Sequence, residues 1–291
     1  MKLTGTLVAA HGRHYRVRLD GLNSGEIIDC FPRGKKSELA CGDKVSIERL
    51  NATQGVIDSI LPRRSLLYRS NDFRQKLIAA NVTQIIIVVA TEPSFSDELV
   101  SRCLVAAHNQ DIAALIVLNK SDLSERLNRA SEALTAFVAL GYPLLTLSAH
   151  ADVTALRERL HGHVSVLIGQ SGMGKSTLIN ALLPEAAAPV REISSALDSG
   201  KHTTTHATLY ALDAHSALID SPGLQEFGLK HLSFDAIAQG FPELQPLLGQ
   251  CRFRNCRHDK EPNCALHEAL RAGAIHPRRY AVFRALCDEV A

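Results

Sequence analysis

Short bursts of alternating apolar and polar residues recur at 6–9, 15–19, 25–28, 44–48 and 55–60, with Gly and Asn between them. A period of two over so few residues, repeated with turn residues in the gaps, predicts a small all-β barrel. From residue 80 the pattern changes. Unbroken apolar runs at 85–90, 113–118, 144–147 and 164–168 alternate with helical periodicity at 97–109, 124–140 and 152–160. Strands buried on both faces read as continuous apolar runs, so this alternation predicts a parallel sheet with helices on either side. The polar, basic stretch 62–76, with a single proline, predicts an exposed linker between the two patterns. Farther on, a helix is expected over 175–183, residues 184–206 are polar and irregular, and 208–212 with 216–219 read as a hairpin pair. Beyond 228 the pattern is helical with interruptions and ends in a helix over 277–290. The expected division is a barrel at 1–62, a basic linker at 63–74, an α/β domain at 75–228 and a helical domain at 229–291.

Charge refines this picture. The net charge is only +2, but residues 1–76 hold 14 Lys and Arg against 8 Asp and Glu, residues 77–250 hold 10 against 17, and residues 251–291 hold 8 against 5. Basic ends around an acidic middle suit an enzyme core carried between modules that face a polyanion. In the barrel, Arg13, His14, Arg16, Arg18, Arg33, Lys35 and Lys36, with Tyr15 and Phe31 among them, suit a nucleic-acid surface. Gly42-Asp-Lys-Val45, entering a strand, resembles the turn of OB-fold barrels. Seven cysteines, an odd number, fit free thiols in a reducing compartment better than a disulfide framework. The apolar runs are strand-sized and the first residues do not make a signal peptide, so a cytoplasmic protein with no membrane contact is expected.

The candidate chemistry begins at 169. Gly169, Gln170, Ser171, Gly172, Met173, Gly174, Lys175 and Ser176 satisfy G-x-x-x-x-G-K-[ST] in full, directly after an apolar strand and at the start of a helix that continues through Thr177. Glycines let successive backbone N–H groups curl around phosphate oxygens, and the helix N-terminus adds its partial positive charge. Lys175 is then expected on the β/γ-phosphates and the Ser176 hydroxyl on Mg²⁺. A serine-hydrolase elbow is excluded, because the residue two after Ser171 is Met173 rather than glycine.

Asn119, Lys120, Ser121 and Asp122 follow the run 113–118, at the carboxyl edge where α/β sheets bind ligands. The Asp122 carboxylate can accept both N1–H and the exocyclic amine of guanine, a donor pair that adenine lacks, while Asn119 binds N7 and braces the loop. Ser148 and Ala149, at another strand end, offer a backbone N–H to the guanine O6. Asp220-Ser-Pro-Gly223 places an acidic residue for Mg²⁺ and a glycine N–H for the γ-phosphate, and Thr203, Thr204 or Thr205 can complete the Mg²⁺ shell. Together these predict GTP and GDP as ligands. Their order is unusual: the Asn-Lys-x-Asp group precedes the phosphate loop instead of following it, so the domain reads as circularly permuted. The Asp-x-x-Gly segment therefore leads directly into the C-terminal region.

With this order, a barrel before it and a cysteine cluster after it, the chain resembles the ribosome small-subunit-dependent GTPase A family (RsgA, YjeQ or YloQ). Gly200-Lys-His-Thr-Thr-Thr205, Asp220-Ser-Pro-Gly223 and Phe241-Pro-Glu-Leu244 are similar to that family's signatures. The resemblance implies a multi-domain fold: an N-terminal OB-fold β-barrel, a central α/β circularly permuted P-loop GTPase domain and a C-terminal helical zinc-binding domain. It also implies GTP hydrolysis stimulated by the small ribosomal subunit, contact with its rRNA, and a role in late maturation of that particle, with the protein acting as a monomer. Two rivals from other classes are a nucleic-acid-binding module with a vestigial nucleotide site and an ATP-dependent RNA-acting enzyme. Intact Lys175, Ser176, Asp220 and Asp122 oppose the first, and Asp122 opposes the second.

Leu224 stands where Ras-like enzymes place a water-orienting Gln, so slow intrinsic hydrolysis is expected. His202 resembles the family's switch histidine and is the candidate for positioning the attacking water; the alternative is an ordinary exposed loop histidine. Cys251, Cys256, His258 and Cys264 offer three thiolates and one imidazole, the donor set of a closed tetrahedral Zn²⁺ site. Their spacing differs from that of the commonest fingers, and the resemblance supplies the assignment against a reactive cysteine cluster. Arg252, Arg254 and Arg257 between the ligands are expected to face RNA phosphates.

Overall fold

The computed structural model describes residues 2–11, 14–21, 25–34, 38–71, 74–183, 207–220 and 228–290. Its first five strands are β1 (Lys2–His11), β2 (His14–Leu19), β3 (Ile27–Pro32), β4 (Lys44–Arg49) and β5 (Gln54–Ile60). β1 pairs antiparallel with both β2 and β4, β2 with β3, β3 in parallel with β5, and β5 with β4. The ring 1-2-3-5-4 closes on itself through the pairing of β4 with residues 2–6 of β1. Alternation decides which side chains fill it: Tyr15, Val17 and Leu19 from β2, Ile28 and Cys30 from β3, and Val45 and Ile47 from β4 are buried. Tyr15 therefore does not belong to the nucleic-acid surface expected of it, because its position in the period of two turns the ring into the core. Phe31 is half-buried edge-to-face against His14, with ring centroids 4.8 Å apart, and Arg33 is engaged by Glu48 and Asp58. Arg13, Lys35 and Lys36 lie outside the described residues.

Where an exposed linker was expected, the chain instead forms a hairpin of β6 (Leu66–Asn71) and β7 (Arg74–Ala80). The polar residues dominate the sequence of this stretch, but Leu67, Ile78, Ala79 and Ala80 at the base of the hairpin are buried and anchor it. The same base joins barrel to central domain. The Ala80 N–H donates to the Cys41 carbonyl at 2.8 Å, and Asn81 Nδ2 donates to the Gly42 carbonyl at 3.0 Å. Gly42 has φ +92°, and a Cβ there would stand 2.2 Å from the Ala80 oxygen, so only glycine fits this joint. Next to it the fully buried Asp43 accepts from the Ala40 N–H and from Arg63 at 2.7 and 2.8 Å, which satisfies the charge that burial would otherwise penalise.

The central sheet runs β10 (Leu144–Thr146), β9 (Ala113–Asn119), β8 (Gln84–Ala90), β11 (Val164–Ile168) and β13 (Ala217–Asp220), all parallel, with β12 (Thr208–Ala211) antiparallel to β13. Every residue of β8 is buried. Its Ile85, Ile87 and Val89 join one core with α1 (Asp97–Asn109) and α2 (Ser124–Ala139); its Ile86, Val88 and Ala90 join another with α3 (Thr154–Leu160) and α4 (Lys175–Leu182). The 152–160 helix begins two residues later than expected because Asp152 stays outside it and accepts the Thr154 N–H at 2.8 Å. Ala9 of β1 pairs with Thr208 of β12, so the sheet continues into the barrel.

The C-terminal region contains α5 (Phe234–Gln239), α6 (Ala265–Arg271) and α7 (Pro277–Asp288). Ser233 caps α5 and His276 caps α7, where Pro277 occupies the first helical position at no cost in hydrogen bonds. α7 lies against α1. Arg279, 3% exposed, donates to Glu243 Oε1 and to Ser101 Oγ at 2.7 Å and lies over the rings of Phe137 and Phe241. Arg278 pairs with Asp97 at 3.3 Å, and Arg102 joins Glu98 to Glu289. Among the described residues no helix is long and apolar enough to cross a membrane.

Candidate active site and metal centre

Parallel strands bring their carboxyl ends to one edge, and the motif residues stand there: Gly169 after β11, Asn119 at the end of β9, Ser148 and Ala149 just beyond β10, and Asp220 at the end of β13. Asn119, 1% exposed, ties three of these segments together. Its Nδ2 donates to the Met173 carbonyl and its Oδ1 accepts the Ala149 N–H, each at 3.0 Å. A buried amide has to satisfy its oxygen, so the Ala149 N–H that the sequence offers to a ligand is engaged by Asn119 instead. Gly174, the residue before α4, has φ +86°, and a Cβ there would lie 2.3 Å from Asn119 Nδ2. Gly174→Ala is expected to combine left-handed strain with loss of the Asn119 brace, about 2–4 kcal/mol together, and to weaken guanine-nucleotide affinity roughly 30- to 1000-fold. Wild-type affinity in a titration with a fluorescent GTP analogue would show that the Asn119 brace does not support nucleotide binding.

Lys120 takes φ +61° and sends its Nζ to the Glu92 carbonyl at 2.9 Å, while Thr91 Oγ1 donates to the Lys120 carbonyl at 3.0 Å. The Ser121 N–H donates to Leu147 O at 3.2 Å. Asp122 is left exposed. The Ser148 hydroxyl, the Asp122 backbone N–H, and the His150 and Lys120 charges hold its carboxyl below the usual range. Ser148 Oγ is buried and has no partner in hydrogen-bond geometry among the described residues, so its pull on Asp122 is that of a nearby dipole rather than a formed bond.

Lys175 Nζ donates to the loop's own Gly169 and Gln170 carbonyls at 2.6 and 2.8 Å, which leaves its third proton for a phosphate oxygen. Burial lowers the Lys175 pKa and raises that of Asp220, and each charge opposes the shift of the other. Ser176 is exposed and Thr177 half-buried at the start of α4; Ser171 and Gly172 are exposed on the loop. Gln170 is half-buried, its Oε1 accepting the Ser96 N–H at 3.0 Å ahead of α1. Sequence reasoning missed this tie and the contacts of Thr91 and Glu92; the available signal was that 91–92 directly follow a strand ending at the same edge. His202, Thr203, Thr204, Thr205, Gly223 and Leu224 lie outside the described residues.

In the C-terminal region the ligand atoms of Cys251, Cys256, His258 and Cys264 all lie within 4.8 Å of one another. His258 Nδ1 is 3.5, 3.6 and 3.3 Å from the sulfurs of Cys251, Cys256 and Cys264, and the Cys251 and Cys264 sulfurs are 3.9 Å apart. Zn–S bonds of about 2.3 Å and Zn–N bonds of about 2.0 Å in a tetrahedron require roughly 3.8 Å between sulfurs and roughly 3.5 Å from sulfur to nitrogen. The donor set therefore fits zinc in chemistry and in spacing, with Nδ1 as the histidine ligand. His258 reaches it with φ +57°, and the Ala265 N–H donates to Cys251 Sγ at 3.4 Å. Burial, helped by the neighbouring Cys251 and Cys264, pushes the Cys256 thiol up to about 12 despite a backbone hydrogen bond near His258. A bound dication reverses that preference, because a coordinating thiol is deprotonated.

The comparisons with known proteins agree with this architecture. A family model described as RsgA GTPase matches residues 60–230. The chain is 53% identical over 290 residues to "Small ribosomal subunit biogenesis GTPase RsgA" of Burkholderia pseudomallei strain 1710b, covering 98% of this chain and 91% of that one. The protein of the same name from Nitrosospira multiformis is 53% identical over 284 residues, covering 98% and 90%. Among solved structures, YjeQ from Thermotoga maritima superposes with a TM-score of 0.76 at 28% identity, covering 100% of this chain and 99% of that chain. YloQ, described as a circularly permuted GTPase, gives 0.72 at 25% identity, covering 100% and 95%. Half-identity along nearly the whole length, and a family match spanning all the nucleotide motifs, place the chain in the RsgA GTPase family.

Proposed function

We propose that this chain hydrolyses GTP to GDP and phosphate in the maturation of the small ribosomal subunit, and that the particle stimulates the reaction while nucleotide state sets binding and release. The observation that carries the nucleotide reading is Asn119, which holds the phosphate loop through Met173 and the base-side loop through Ala149. In this reading Asp122 selects guanine, Lys175 and the loop amides hold phosphates, and Ser176 and Asp220 hold Mg²⁺. Thr203, Thr204 and Gly223 complete the γ-phosphate contacts and His202 positions the water. The barrel at 1–62 and the helical module at 229–291, clamped by a structural zinc, engage rRNA on either side of the GTPase domain at 75–228. The protein works as a cytoplasmic monomer.

Turnover of GTP measured with and without purified small subunits tests the reading: hydrolysis is expected to be slow alone and accelerated by the particle, and ATP is expected not to compete. Asp122→Asn supplies a sharper check on the base. An amide in place of the carboxylate cannot accept two donors from guanine but can donate to the 2-oxo group of xanthine, so preference is expected to move from GTP to XTP by at least about 100-fold. Unchanged discrimination would place the base elsewhere.

A further inference from the structure

The loop between the first two cysteines of the metal cluster carries a side chain that the metal does not use. Phe253 is 42% exposed, one of few large apolar side chains left open to solvent among the described residues. It stands between Arg252 and Arg254, both exposed and without an ion pair among the described residues, and the Arg252 guanidinium lies over one face of the ring, 5.5 Å from its centroid. The loop is held at both ends by Cys251 and Cys256 and is closed within by the Cys256 N–H donating to the Phe253 carbonyl at 3.2 Å. An aromatic face on a short, fixed loop between two exposed cations lacks the apolar surroundings of a protein-docking patch. It has the two elements with which proteins take hold of unpaired RNA: a π-face for a base and positive charge for the flanking phosphates.

We infer that Phe253 stacks on an unpaired RNA base while Arg252 and Arg254 hold the adjoining phosphates, an assignment that rests on the proposed ribosomal partner and names the chemical group taken there. The backbone that carries the ring is tied by the Cys256 N–H before binding, so ordering on contact is confined to side chains.

The chain contains no tryptophan, so Phe253→Trp makes the stacking residue the only indole and its fluorescence the reporter. In the full-length Phe253→Trp protein, indole emission is expected to be quenched by small subunits and by a single-stranded oligoribonucleotide, but not by inorganic polyphosphate. Phe253→Ala is expected to bind small subunits about 5- to 100-fold more weakly, with an unchanged salt slope, while Phe253→Trp binds like wild type. Arg252→Ala is expected to reduce the salt slope instead. One equivalent of zinc and unaltered hydrolysis without subunits will verify that each variant is folded. Wild-type affinity of Phe253→Ala overturns the inference, as does quenching by polyphosphate, or quenching by subunits without quenching by the oligoribonucleotide. Failure of the wild-type protein to bind small subunits counts instead against the proposed function, and the oligoribonucleotide still tests the stack.

Discussion

Arg279→Ala is expected to destabilise the packing of the C-terminal module by about 3–5 kcal/mol, because it leaves a buried carboxylate without its partner. The pair is nearly dry: the side chains of Arg279 and Glu243 are 3% and 7% exposed. Ser101 Oγ, also buried, loses its donor in the same step, and the guanidinium that fills the gap between Phe137 and Phe241 disappears. Four elements meet there: α7 through Arg279, α1 through Ser101, α2 through Phe137, and the segment after α5 through Phe241 and Glu243. Removing both charges is a different perturbation. Arg279→Met combined with Glu243→Leu removes two desolvated ions together and is expected to be more stable than Arg279→Ala, an outcome that urea unfolding reads directly. A single variant within about 1 kcal/mol of wild type would show that apolar packing of Phe283 and Leu286 alone holds the module.

Loss of the proposed zinc is expected to have a larger effect still. Structural zinc contributes roughly 10–16 kcal/mol of apparent binding free energy in small zinc modules, so Cys264→Ser is expected to abolish stoichiometric zinc and leave the C-terminal region sensitive to protease. Beside the ligand role proposed for it, Cys264 is the residue from which α6 starts, and His258 is ringed by Phe234, Phe283 and the sulfurs. One face of the central sheet shares its core with the C-terminal module, but the other, under α3 and α4 next to the phosphate loop, has a core that includes no residue of that module. GTP binding is therefore expected to survive the substitution while small-subunit binding falls, which distinguishes unfolding of one module from unfolding of the chain. Less than about half an equivalent of zinc in freshly purified, thiol-protected wild-type protein would count against the centre, since a structural site binds its metal stoichiometrically.

The patterns that could be read from the sequence were those written locally. The apolar run 164–168 corresponds to a strand of the same extent, and the expected helix 97–109 matches α1. Residues 119–122, 148–149, 169–176 and Asp220 stand out because each is marked locally and falls at or just after a strand end, where the parallel sheet collects them. The hairpin of β6 and β7 was not, since a handful of apolar residues at its base are separated by a polar tip and give no sustained period. Tyr15 was misassigned from its company of arginines, although its alternation with Val17 and Leu19 pointed inward. Pairings such as Gln170 with Ser96, or Arg279 with Glu243 and Ser101, join residues with no local mark of their partners and become visible only when helices and loops are packed.

The placement of β11 between β8 and β13 has a consequence for synthesis. Strands β8, β9 and β10 and their connecting helices can associate soon after they leave the ribosome, and β11 can then add to β8, but the other edge of β11 must wait for residues 217–220, after the whole phosphate-loop segment has been made. Until then one edge of an apolar parallel strand stays unpaired, the kind of surface that recruits other chains. A nascent or truncated chain ending before β13 thus carries its phosphate loop on an open sheet edge, and the last strand to arrive both brings Asp220 to the site and protects the fold from aggregation.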